Sequence, residues 1–295
     1  MILPNWFPSP SERPSGVRLL SRPDDEMTDV RDAALSQDAE WLTTNRSGSF
    51  AMGTIDRCPR RKYHSLLTVR EPGLGEPMNM IAELEEWFDV GDEREVALHS
   101  YDWGDAVEPR GIDFLTGFDH MPRWRYEFAG IKVTRELWLE ERADAVWIRY
   151  SVEGLQRPVD LRLRPLIRCR PIHELTFANP FMNGELEVHG GGDALSLRVI
   201  MHPYQNVPAV VTSLHGARGR FHADGHWYEG VHYEWERDRG YDDAEDLFTP
   251  GEIRVRLEHD GSFGVRIGTT SPESDEPQVL TTLEPPNRSF LQELE

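Results

Sequence analysis

Long apolar runs are missing from this chain, lysine is almost absent, and cysteine is rare. Each shortage closes off a class of protein. No stretch of about 18 or more apolar residues occurs, so no membrane-spanning helix is expected. The opening MILPNWFPSPSERPSG places prolines where a signal peptide needs an apolar core, which makes a soluble, cytoplasmic protein the expectation. The two cysteines, Cys58 and Cys169, are too few for a disulfide scaffold and lack the close spacing of zinc or redox pairs. They read as two reduced thiols, and no cofactor or metal is expected.

Lysine stands only at positions 62 and 132, so 30 of the 32 basic residues are arginine. Against them stand 52 acidic residues and a formal net charge of -20. That balance repels phosphate backbones and anionic bilayers, which bind through clustered Lys and Arg. Nucleic acid and membrane are therefore not expected partners. An acid excess with so little lysine suits a host with a salty interior, where screening relieves self-repulsion.

What the chain does have is period-two alternation, the mark of strands with one buried face. Trp124, Tyr126 and Phe128 alternate with Arg125 and Glu127. Ala129-Gly130 then makes a turn, and Ile131, Val133, Leu137 and Leu139 resume the pattern, which predicts a hairpin. Further strands are predicted at Val146 to Val152, Val159 to Leu163 and Leu195 to Met201, the last entered through the glycines of HGGGD. A second hairpin is predicted to join Ile253, Val255 and Leu257 to Phe263, Val265 and Ile267 through Asp260-Gly261. Many short strands imply an all-β protein, a large antiparallel β-sandwich with few short helices. The 295 residues exceed the common domain size, yet sandwiches of this length form one unit. The expected division is an irregular arm over 1–30, the sandwich over 31–275, and over 276–295 a linker and the start of a helix, where Ser289 and Gln292 form a capping box. That helix would lead to a domain the chain does not contain.

Four constellations bear on chemistry. HGGGD (His189 to Asp193) is read as a hairpin turn, because no GxSxG accompanies it. His222, His226 and His232 have spacing that suits zinc only on a helix, and Gly225 and Gly230 interrupt any helix there. Trp227, Tyr228, Tyr233 and Trp235 beside Glu229, Glu234 and Glu236 combine aromatic faces with carboxylates, as sugar binding does. The acidic pairs Glu85-Glu86, Asp242-Asp243 and Glu245-Asp246 are read as solvated surface pairs rather than glycosidase carboxylates.

The run EWLTTNRSGSFAMGTIDRCPRRKYHSLL (Glu40 to Leu67) resembles the opening signature of the N-terminal domain of archaeal and bacterial glycogen debranching enzymes. LEEWFDVG, PRWRYEFAGIKVTRELWL, PVDLRLRPLIRCRPIHELTFAN and WYEGVHYEWERDRGYDDAEDLFTPGE follow in order, so the resemblance covers roughly residues 38 to 255. It implies a supersandwich similar to galactose mutarotase, followed in the whole enzyme by an α-helical toroid that carries the acid and base hydrolysing α-1,6-glucosidic branch points. No catalytic residue is then expected in this chain. By the resemblance, Asn45, Gly48, Gly53, Arg61, Tyr63, His64, Arg239, Gly240, Glu245 and Asp246 shape loops facing the glucosidase domain or branched α-glucan, the implied partners. The family usually has glycine where Arg46, Ser49 and Ser65 stand, tyrosine for Phe50 and arginine for Lys62. Lost glycines forbid positive φ, which predicts a reshaped loop. Two alternatives stand beside this one: a free-standing carbohydrate-binding or regulatory protein, and a mutarotase-type epimerase using His64 or His173 with a carboxylate.

Overall fold

A computed structural model of the chain describes residues 39–70, 75–119 and 122–270. The expected arm over 1–30 and the linker and helix over 276–295 lie outside them. The first seven strands are β1 (Glu40–Thr44), β2 (Phe50–Thr54), β3 (Ser65–Val69), β4 (Met78–Gly91), β5 (Arg94–Ala97), β6 (Ser100–Asp102) and β7 (Val107–Arg110). A 3-10 turn at Gly111–Phe114 leads to β8 (Leu115–Asp119), β9 (Arg123–Phe128), β10 (Ile131–Leu139) and β11 (Ala145–Glu153). Then come β12 (Val159–Pro171), β13 (Leu186–Gly190), β14 (Ser196–Met201), β15 (Ala209–His215), β16 (Gly219–His232), the one-turn helix α1 (Glu234–Arg237), β17 (Ala244–Leu257) and β18 (Gly261–Thr270).

Two antiparallel sheets result. One has ten strands in the order β1-β2-β3-β4-β12-β17-β16-β6-β7 with β5 added on β4, and the other runs β13-β14-β15-β18-β11-β10-β9-β8. The chain passes between them five times, so strands next to each other in sequence often lie in different sheets. Alternation sets which side chains enter the shared core. On β9 Trp124, Tyr126 and Phe128 are buried while Glu127 is exposed, and across from them Leu67, Ile81, Leu84 and Phe88 of the first sheet are buried. The protein is therefore an all-β two-sheet sandwich with one short α-helix among the described residues.

The hairpin at Ala129-Gly130 forms as expected. Both turn residues have positive φ (48 and 79), and Ile131 pairs with Phe128. HGGGD likewise turns between β13 and β14, with Gly190, Gly191 and Gly192 all at positive φ. The second expected hairpin does not form. β17 pairs with β12 and β16, whereas β18 pairs with β11 and β15 in the other sheet, so Asp260-Gly261 belongs to a crossover. Asp260 caps a different connection, accepting hydrogen bonds from Gly154 N (3.0 Å) and Leu155 N (2.9 Å). Leu195 also falls outside its expected strand and is 61% exposed.

The ten-stranded sheet is curled. β5 pairs with β4 and β6 with β16, although only Leu98 and His99 separate them in sequence. The segment therefore bridges two strands that are three places apart in the order. Inside the curl, on the face away from the second sheet, Ala82, Tyr101, Leu166, Val231, Tyr233 and Leu247 form a smaller core.

Glu85 and Glu86 are not a solvated pair, since both are buried. They point to opposite faces of β4. Glu86 enters the space between the sheets, where Arg57 Nη1 (2.7 Å), Arg135 Nε (2.9 Å) and Tyr150 OH (2.5 Å) surround it, and Glu83 pairs with Arg57 at 2.9 Å. Burial alone would raise the Glu86 carboxyl, but Arg57 and Arg135 hold it below its ordinary value. No described helix is long and apolar enough to cross a membrane.

Candidate functional site

The site is built at the end of the curl where β17 begins and β12 ends. Along β12, Arg162, Arg164, Arg168 and Arg170 fall in phase on one face, although the pairing with β4 shifts register at Leu166/Ile167 and Ile167/Arg170 and Cys169 stands at φ 51. Glu245 opens β17 beside them and is fully buried. Arg168 Nε and Arg170 Nε each approach it at 2.7 Å, Tyr233 OH donates to it, and Thr176 N donates at 3.1 Å. Burial pushes this carboxyl up, yet the two guanidiniums outweigh it and hold it ionised, below its ordinary value. Glu245 thus corrects the expectation of a solvated acidic pair. The charge is compensated twice over, the arrangement a buried ion requires.

Asp246, next along the strand, staples loops rather than charges. Its carboxylate accepts Ala178 N and Gly230 N, both at 2.8 Å, and its own N–H donates to Thr176 O at 2.8 Å. The 172–185 crossover is thereby fixed to β17 on both sides of Phe177. Phe177 and Phe181 stand out from it, 58% and 79% exposed.

The first signature reaches the same place. Lys62 Nζ donates to His173 O (2.9 Å), and the Tyr63 ring meets the His173 ring edge-on at 5.9 Å. Burial, reinforced by Glu236, raises the Tyr63 hydroxyl above its ordinary pKa; Tyr241 and Arg239 also lie near enough to act on it. Arg239 follows α1, and Gly240 at φ 73 turns the chain to present Tyr241, 63% exposed. His64 is buried, with Nδ1 accepting Arg60 N (3.0 Å), so Nε2 carries the proton and donates to Glu40 (2.8 Å). The imidazole is neutral: burial lowers its pKa more than Glu40 raises it. Arg61 Nε also reaches Glu40 (2.8 Å) and its guanidinium lies 4.4 Å over the Trp235 ring. Both ring nitrogens of His64 are thus committed to holding the loop.

Three expected residues lie elsewhere. Asn45 clamps the β1–β2 turn to the β10–β11 turn, donating to Glu140 O (2.8 Å) and Ala143 O (2.9 Å). Trp227 packs on Phe248 toward the inter-sheet core, with ring centroids 5.3 Å apart. Tyr228, its neighbour, points to the opposite face beside Glu85. At the departures Arg46, Ser49 and Ser65 do not take positive φ, as side chains bearing a Cβ require. Gly48 supplies that conformation at φ 85, while Arg46 pairs with Glu141, Ser49 bonds Asp144 and Ser65 bonds Ile81 O. Gly53 faces the Trp41 ring, which a Cβ would meet at 3.2 Å. His222 and His226 lie on a strand, and among the described residues no group of three His, Cys, Asp or Glu is placed to hold a metal. Arg168 and Arg170 are not singled out by the sequence, and Tyr233 reads there as a sugar-binding aromatic, whereas its hydroxyl bonds the buried Glu245. The period-two arginines of β12, in an otherwise apolar strand, were the available signal.

Comparison with known proteins follows this geometry. Among solved structures the chain is similar to a bacterial glucoamylase complexed with acarbose (9% identity, TM-score 0.36, 79% of this chain and 32% of that one). It is similar as well to a polysaccharide lyase (12% identity, TM-score 0.33, 78% of this chain and 32% of that one). Scores this low bear on neither fold nor function, and the chain spans about a third of each structure's length. No curated protein sequence matches it. The family described as "Glycogen debranching enzyme N terminal" matches residues 39–263, and the chain belongs to that family.

Proposed function

We propose that this chain is a non-catalytic N-terminal domain that packs on a glucosidase domain hydrolysing α-1,6 bonds and helps it hold branched α-glucan. The observation that carries the reading is the loop face. Glu245, Asp246, Lys62 and Tyr63, drawn from the first and last stretches that resemble the family, all brace the crossover bearing exposed Phe177 and Phe181. Burying two phenylalanines gives about 3–6 kcal/mol, enough to matter in an interface once ordering costs are met. The carboxylates at this face are committed to arginines and backbone amides, which supports a bracing role over acid–base work.

The test is a Phe177→Asp/Phe181→Asp variant, mixed with the glucosidase domain encoded by the same gene. The parent chain is expected to co-elute with that domain in size-exclusion chromatography and the variant to elute separately. Equal co-elution of both would remove the loop face from the interface.

A further inference from the structure

We propose that the curled face of the ten-stranded sheet carries a saccharide-binding platform, formed by Trp87, Trp103 and Tyr228, that takes a neutral glycan segment. It rests on the debranching reading only for naming that glycan an α-glucan.

The rings come first. Tyr228 lies nearly parallel to Trp103 (18°, centroids 6.3 Å apart) and to His226 (25°, 5.3 Å), and all three are partly exposed. Trp87 stands on β4, next to β12, with the Arg162 guanidinium 5.7 Å from its ring. The partly exposed sides of Trp87, Trp103 and Tyr228 supply apolar surface of the kind that meets the apolar faces of pyranose rings.

Beneath the rings lies Glu85, 1% exposed, whose Oε2 accepts Trp87 Nε1 (3.3 Å) and Tyr228 OH (3.1 Å). Arg164 Nη1 donates to the same tyrosine oxygen at 2.9 Å. A second, independent observation points to a ligand. His99 Nε2 sits 3.5 Å from Glu85 Oε1, yet neither nitrogen of this fully buried ring has a hydrogen-bond partner, and neither has the buried Tyr101 hydroxyl. Orphaned buried polar groups are costly and rare, and here two flank one carboxyl. Burial lifts Glu85 to about 7 and lowers His99 to about 3, so near neutral pH the carboxyl is shared between its protonated and ionised forms beside an uncharged imidazole.

Charge identifies the ligand class. Arg164 is paired with Glu252 (2.7 Å) and Arg162 with Glu95 (2.7 Å), so neither guanidinium is left open to attract an anion. Paired charges beside aromatic faces instead suit a neutral molecule with many hydroxyls.

The experiment is calorimetric titration of the 295-residue chain with maltotriose, isomaltotriose and cellotriose. The α-linked sugars are expected to bind, with Trp103→Ala weakening them about tenfold and Trp103→Phe restoring most of the loss. Tyr228→Phe keeps the ring and the packing and is expected to weaken binding severalfold, which covers the case of a poorly folded Trp103→Ala. The proposal is overturned if no saccharide binds at millimolar concentration, His99 and Tyr101 then being served by water alone. It is overturned equally if Trp103→Ala and Tyr228→Phe bind as the parent does while Phe177→Asp/Phe181→Asp does not. Binding of cellotriose alone would keep the platform and remove the debranching reading.

Discussion

At the scale of single residues, this protein buries charge in compensated sets. Glu86 and Glu245 each sit among two arginines and a tyrosine, and each stays ionised. Glu85 differs because its nearest partners are neutral: Trp87, Tyr228 and a neutral His99. Its carboxyl is raised from 4.5 to about 7, with burial the main cause. The folded protein therefore keeps a proton between those values that the unfolded chain has released. Stability must fall as pH rises through that window, by on the order of 3 kcal/mol when complete. Glu85→Gln removes the effect. Urea unfolding at pH 8 is expected to find the variant more stable than the parent, with the gap closing near pH 4.5. A gap that stays constant with pH would place the Glu85 carboxyl at its ordinary value.

None of these assignments was legible in the sequence. Two neighbouring glutamates in a chain this acidic look like solvated surface. Glu86 is compensated by arginines from β10 and the β2–β3 connection and Glu245 by arginines from β12, all distant in sequence and adjacent only after the sheets form. The alternating arginines of β12 were visible, but their partners were not.

At the scale of elements, alternation reports which face a residue occupies and is silent on which strand lies beside it. That is why the Trp124 to Leu139 hairpin was read correctly and Asp260-Gly261 was not. The former has a turn that must close on itself, with Ala129 and Gly130 both at positive φ. The latter, an Asp-Gly pair with neither residue at positive φ, joins strands in opposite sheets. The crossovers are in turn tied together: Asp260 caps Gly154, and Gly154, at φ 85, lies so close to the β9–β10 turn that a Cβ would meet Gly130 O at 2.4 Å. Gly154→Ala must relieve that clash and accept a left-handed conformation. A loss of about 2–3 kcal/mol is expected, read as a lower urea midpoint with an unchanged slope. A change under about 0.5 kcal/mol would show that the two turns do not touch.

At the scale of the molecule, the family resemblance carried the most. It ran from roughly residue 38 to 255, and the family match runs over 39–263. Composition and periodicity alone reached an all-β sandwich and stopped there. Of the residues the sequence singled out, Tyr63, Glu245 and Asp246 contact the 172–185 crossover and Arg239 lies near Tyr63, whereas His64 holds Glu40 and Arg60, and Asn45 and Trp227 serve other parts of the fold. The residues that converge are mostly braces, while Phe177 and Tyr241, which lie within the quoted stretches, and Phe181 are exposed.

The most direct test of the central claim is release of glucose from a branched α-1,6-linked limit dextrin. It should be measured for this chain alone, for the glucosidase domain alone and for the two mixed. The account predicts no hydrolysis by the chain, weak hydrolysis by the glucosidase domain, and a clear increase on mixing that Phe177→Asp/Phe181→Asp abolishes. Hydrolysis by the chain alone, or a glucosidase domain indifferent to its presence, would contradict it.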